Sequence, residues 1–90
     1  MKKIIVTGGS GFIGSNLVNY LINKNFFVIN LDKLTYSSNK YDDKIRNRNN
    51  YKLIKIDINN KNKLITIIKK FRPLAVFNLA AETHVDRSID

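Results

Sequence analysis

Four short groups of residues in this chain are of types that do chemistry. The first is Thr7-Gly8-Gly9-Ser10-Gly11-Phe12-Ile13-Gly14, with spaced glycines at 8, 11 and 14. It follows the apolar run Ile4-Ile5-Val6 and opens into an amphipathic run from Ile13 to Ile22. A strand, a glycine-rich turn and a helix start can hold a dinucleotide pyrophosphate, because backbone N–H groups converge at a helix end of partial positive charge. In that reading Gly8 permits the tight turn, Gly11 lets the pyrophosphate approach the backbone, and Gly14 lets the helix pack close to the sheet. The N–H groups of Phe12 and Ile13 point at the phosphates. Three glycines alone also suit an ordinary tight turn, and the flanking strand and helix separate the two readings.

The second group is Asp32, which closes the apolar run Phe26 to Leu31. A carboxylate there can accept hydrogen bonds from adenosine ribose hydroxyls and would repel a 2′-phosphate, which favours NAD over NADP. The alternative is a solvated aspartate at a strand end. The third group is Asp57-Ile58. Its carboxylate can reach an adenine amine and its isoleucine the ring, or the aspartate can serve the N-terminus of the next helix. The fourth is Leu79-Ala80-Ala81-Glu82-Thr83-His84. The small Ala80 and Ala81 let backbone pass close to a flat cofactor, and Thr83 offers a hydroxyl to a substrate. His84 is a polar contact or a satisfied histidine. Glu82 and Asp86 suggest a carboxylate pair, to which no proton-transfer role is assigned.

The elements that position these groups follow from periodicity. Lys2 to Thr7 reads as a strand buried on both faces. A helix is expected from Phe12 to Asn23, with Ile13, Leu17, Val18, Leu21 and Ile22 on one side. Phe26 to Leu31 is a second strand. Residues 33 to 50 are polar without a clear period, with room for a short helix at 42 to 47. Tyr51 to Ile56 is a third strand, nearer an edge, and Asp57-Ile58-Asn59 a turn. A second helix runs from Asn60 to Phe71, its stripe being Leu64, Ile67, Ile68 and Phe71. Pro73 disfavours helical geometry at Arg72 and ends it. Leu74 to Leu79 is a fourth strand, and Ala80 to Asp90 a loop. Alternating strands and helices imply an α/β fold, a partial Rossmann-type doubly wound parallel sheet of four strands and two main helices. Right-handed crossovers give the spatial order three-two-one-four, with all four chemical groups at carboxyl ends of strands. The outer edge of strand four is expected to be open to pairing.

Composition narrows the function. Ninety residues allow one small domain, and the absence of cysteine excludes disulfides and thiolate chemistry. A single histidine leaves little for a metal cluster. The net charge of +9 comes from lysines scattered along the chain rather than from a basic arm or a nucleic-acid motif, so no nucleic-acid partner is expected. The apolar run before Thr7 is too short for a secretory signal, and no stretch has the length of a membrane span, so the expected location is cytoplasmic with no membrane partner.

These residues resemble a known family. Thr7 to Ser15 looks like the start of extended short-chain dehydrogenases/reductases. Asp32-Lys33-Leu34-Thr35-Tyr36 with Asn39, and Ala80 to Ile89, resemble the dTDP-glucose 4,6-dehydratase family of nucleotide-sugar enzymes in deoxyhexose and rhamnose synthesis. The resemblance covers the whole chain. It implies NAD as cofactor, dTDP-glucose as substrate, and a homodimer for the full-length form. It also implies roles residue by residue. Phe12 and Ile13 face the pyrophosphate. Asp32, Lys33, Leu34 and Thr35 hold the adenosine ribose, and Asp57 with Ile58 the adenine. Leu79, Ala80, Ala81, Glu82 and Thr83 line the cofactor, and Thr83 touches the sugar, with His84 near it. The Tyr-x-x-x-Lys pair and the Asp-Glu pair of such enzymes have no counterpart in residues 1–90. The chain is therefore expected to be the N-terminal, NAD-binding part, without the substrate domain, without catalytic residues and inactive alone. Related NAD-dependent epimerases and dehydratases, or a non-catalytic nucleotide-binding module, are the alternatives.

Overall fold

The computed structural model describes residues 1–9, 12–33 and 48–79. Its elements are β1 (Lys3–Thr7), α1 (Phe12–Asn23), β2 (Phe27–Asp32), β3 (Tyr51–Lys55), α2 (Lys61–Phe71) and β4 (Ala75–Asn78). They form one sheet in the order β3-β2-β1-β4, with every pairing parallel. Fold class, element order and strand order are as the sequence implies, with boundaries moved by one residue. The short helix expected at 42 to 47 and the loop from Ala80 to Asp90 lie outside the described residues.

Alternation along the central strands sorts the core into two layers. Ile4, Val6 and Val28 point to one face, where they pack with Val18, Leu21 and Ile22 of α1 and with Tyr51. Ile5, Ile29 and Leu31 point to the other, joined by Ile56 and covered by Leu64, Ile67, Ile68 and Phe71 of α2. Burial on both faces explains the unbroken apolar runs of β1 and β2.

α1 departs from the expected pattern at its first turn. Ile13 is 71% exposed, and Gly14 and Ser15 take the inward positions instead. The inward face thus runs 14, 15, 18, 21, 22. Ile13 sits one position, about 100°, off that stripe, and the apolar spacing alone could not set the phase of the first turn.

α2 starts where Asn60 accepts the Lys63 N–H on its side-chain oxygen at 3.3 Å. It ends at Arg72, whose backbone is left-handed (φ 50°) and whose N–H donates to the Ile68 carbonyl. Pro73 disfavours a further helical residue, and Lys69 and Lys70 complement the negative end of the dipole. No α2 residue is fully buried, so this helix lies more loosely on the sheet than α1.

β4 is the outermost strand on its side, and Val76 and Phe77 are exposed. Among the described residues, no helix is long and apolar enough to cross a membrane. Truncating Ile29, fully buried in the centre of the sheet, to alanine is expected to cost about 2–5 kcal/mol. Ile65→Ala, on the exposed side of α2, should change stability by less than about 0.5 kcal/mol. Urea denaturation of the two variants checks the contrast.

Candidate cofactor site

All four strands are parallel, so their carboxyl ends share one rim. Gly8 follows β1, Lys33 follows β2, Asp57 lies just past β3, and Leu79 follows β4. The rim is tied together by main-chain bonds. The Gly8 N–H donates to the Leu31 carbonyl, the Ile56 N–H to the Asp32 carbonyl and the Leu79 N–H to the Thr7 carbonyl. Thr7 Oγ1 adds a 2.6 Å hydrogen bond to Asn78 Oδ1 between register partners.

The turn after β1 begins with Gly8 in the left-handed region (φ 75°), which a side chain would strain. Gly14 of α1 lies directly over it. A Cβ at position 14 would overlap the Gly8 carbonyl oxygen and stand 2.8 Å from the Gly9 Cα. The close approach attributed to Gly14 is therefore against the turn, not against a strand. Phe12, Ile13 and Gly14 supply the first N–H groups of α1, which precede its first intrahelical hydrogen bond and project from its N-terminal end over the rim. The remaining glycine of the motif, Gly11, lies outside the described residues.

Asp32 is only 3% exposed, which overturns its alternative as a solvated strand-end residue. It lies on the α1 face of β2, the face that carries the glycine turn. Asp57 is corrected in a different way. Asn60, not Asp57, caps α2, and the first turn of α2 carries no acidic residue. Asp57 Oδ1 instead accepts the Asn59 N–H at 2.9 Å, closing a local turn. Asp57 Oδ2 lies 3.4 Å from Lys33 Nζ, so the segments after β2 and β3 meet through two side chains the sequence had singled out separately. Ile58 is half-buried beside them. Leu34, Thr35, Ala80, Ala81, Glu82, Thr83 and His84 lie outside the described residues, as does Asp86.

One residue of the rim escaped sequence reasoning. Asn30 is fully buried in β2, and its Oδ1 accepts the Gly9 N–H at 2.8 Å while its Nδ2 donates to the Tyr51 hydroxyl at 3.0 Å. The available signal was an asparagine inside the otherwise apolar run Phe26 to Leu31, since a buried amide requires partners.

A profile of the GDP-mannose 4,6-dehydratase family matches residues 5–90. The chain belongs to the GDP-mannose 4,6-dehydratase family. It is 52% identical over 91 aligned residues to the dTDP-glucose 4,6-dehydratase of Haemophilus influenzae, an alignment covering 99% of this chain and 27% of that protein. The chain thus spans about a quarter of the length of the curated relatives it matches. The crystal structure of dTDP-glucose 4,6-dehydratase from Bacillus anthracis in complex with NAD superposes with a TM-score of 0.83 at 39% identity, over 91% of this chain and 27% of that one. The Thermotoga maritima UDP-glucose 4-epimerase, crystallised with UDP-glucose, superposes with a TM-score of 0.76 at 33% identity, over 90% of this chain and 25% of that one. Within this dehydratase family the four-stranded sheet is the Rossmann-like part.

Two outcomes follow from the rim. Gly14→Ala forces a methyl into backbone that has no side chain to move aside, and should lower stability by more than about 1 kcal/mol despite the better helix propensity of alanine. A thermal melt checks this. The Asn59 N–H is the main cause holding the Asp57 carboxyl below its ordinary value, with burial opposing and Lys33 assisting through a hydrogen bond and its charge. A carboxyl lowered by folding stabilises the fold above the unfolded value, and that contribution is lost as pH falls through the lowered one. NMR titration should therefore find the Asp57 midpoint below 3.8. Lys33→Ala should raise it only in part, because the Asn59 bond remains.

Proposed function

We propose that this chain is the NAD-binding part of a dTDP-glucose 4,6-dehydratase. The observation that carries the proposal is a turn closed over by Gly14 beside the N-terminus of α1, with the buried Asp32 at the end of the adjacent strand. The cradle and the carboxylate fit a dinucleotide: the glycines leave room for a pyrophosphate, and a carboxylate beside them suits a ribose diol.

In this proposal Gly8, Gly11 and Gly14 shape the phosphate cradle, and the N–H groups of Phe12 and Ile13 donate to the pyrophosphate. Asp32 accepts from the ribose hydroxyls, and Lys33, Leu34 and Thr35 continue that segment. Asp57 and Ile58 take the adenine, with Lys33 Nζ holding the Asp57 carboxylate in place. Leu79, Ala80, Ala81, Glu82 and Thr83 line the cofactor, and Thr83 and His84 meet the sugar. NAD, when bound, supplies a hydride acceptor that takes hydride from the sugar and returns it after loss of water. The residues of this chain bind and orient, and none is assigned proton transfer. The isolated chain therefore holds cofactor without turnover. The nucleotide-sugar substrate, the homodimer of the full-length form, the cytoplasmic location and a role in deoxysugar synthesis, without nucleic-acid or membrane partners, belong to the same proposal. The likeness to a UDP-glucose 4-epimerase favours one second reading, the NAD-binding part of a related epimerase. The two part on whether the full-length protein dehydrates dTDP-glucose or inverts a UDP-sugar.

Calorimetric titration of the chain with NAD and NADP tests the cofactor claim. NAD should bind, raise the melting temperature with concentration, and be preferred over NADP by about tenfold or more. Asp32→Asn, which keeps the shape and removes the charge, should shrink that preference. A melt unchanged by millimolar NAD would overturn the proposal.

A further inference from the structure

We infer that Asn30 is the positioning residue of the phosphate-binding turn: its side-chain oxygen pins the Gly9 N–H, and the Tyr51 hydroxyl holds the other end of the amide. The inference rests on the NAD reading for its functional half, and on geometry alone for its structural half.

Gly9 is buried, and its N–H faces a donor-or-acceptor choice in Asn30. Only the oxygen end of the amide can accept that N–H, because the flipped amide would set two donors against each other. The Tyr51 hydroxyl, 3.0 Å from Nδ2, accepts from the nitrogen end, so both ends of the amide are held. Asn30 is 0% exposed, so solvent does not compete for either bond. The fit is steric as well as polar. A Cβ on Gly9 would stand 2.7 Å from Asn30 Cγ and 2.9 Å from Val18 Cγ2. Gly9 and Asn30 are thus a matched pair, which accounts for a glycine at 9 that the dinucleotide spacing itself does not require.

Two consequences reach the site. The Gly9 N–H is directed into the protein, so anion binding falls to the N–H groups at the start of α1, and the turn is held against the sheet while they do so. The choice of amide over carboxylate also matters. Aspartate would accept the same N–H, yet it would bury a negative charge directly behind the place where a pyrophosphate sits. Tyr51 opens β3, the strand that leads to Asp57, so one hydrogen-bonded chain joins the turn to the strand carrying the proposed adenine contact.

The test uses the full 90-residue chain with N30L, N30D and Y51F, reading Gly9 amide exchange without NAD and then NAD affinity. N30L should abolish Gly9 protection and weaken NAD about tenfold or more. N30D should keep the protection, because its acceptor remains, and still weaken NAD about tenfold or more, a split that a purely structural role would not produce. Y51F should speed Gly9 exchange with a smaller loss of affinity. If N30L does not melt cooperatively, N30D and Y51F carry the test. Gly9 protection that survives N30L, or that is lost in N30D, overturns the pin. NAD affinity within about twofold of wild type in N30D overturns the argument from charge. A wild-type chain that binds no NAD sinks the cofactor reading instead, which the exchange measurement in the apo chain keeps separate.

Discussion

The burial of β1 on both faces is the constraint from which the rest follows. Ile4 and Val6 need an apolar layer on one side and Ile5 on the other, so a helix must cover each face. Parallel pairing on both flanks forces the chain to cross back each time, and the right-handed crossovers put α1 and α2 on opposite layers. Parallel strands also bring every carboxyl end to one rim. That is why groups far apart in sequence, such as Gly8, Lys33, Asp57 and Leu79, share it without any local signal that they should.

At the rim the chain comes closer to itself than any side chain would allow. Gly14 presses on Gly8, and Gly9 presses on Asn30. The turn is held from above by a helix and from behind by a buried amide, so its shape is set by packing rather than by turn propensity. The polar residues there are placed in the apolar layers only where partners wait: Thr7 with Asn78, and Asn30 with Gly9 and Tyr51. A buried polar group with complete partners costs little and specifies one arrangement, which is what a preorganised anion site needs. Asn50 plays a similar part at the opposite rim, donating to the Ile22 and Phe26 carbonyls and tying the end of α1 to the start of β3.

The two covering layers are not equal. α1 buries Val18, Leu21 and Ile22, whereas α2 offers only half-buried side chains, and β4 leaves Val76 and Phe77 exposed. The better-packed half of the chain is the half that carries the glycine turn. Local opening is therefore expected to begin at α2 and β4, leaving the turn, α1 and β2 as the more persistent unit.

Much of this was legible in the amino-acid order. Unbroken apolar runs, a 3.6-residue stripe and a proline after Arg72 specify strands, helices and their ends through local sterics and periodicity, and chirality then dictates strand order. The glycine spacing marked the rim, because only glycine tolerates such backbone geometry. What the sequence left open were questions of phase and partnership. Ile13 fits the apolar stripe of α1 yet faces outward, since Gly14 has to lie on the turn. Asp57 fits a helix cap yet closes its own turn and meets Lys33, since Asn60 stands one residue before α2. Asn30 shows nothing locally, because its partners Gly9 and Tyr51 become neighbours only when β1, β2 and β3 pair. Sequence by itself determined the elements, their order and the glycine-bearing rim, for these depend on interactions within a few residues. Only the tertiary structure decided which way the turn is pinned, for that depends on a buried hydrogen bond between strands.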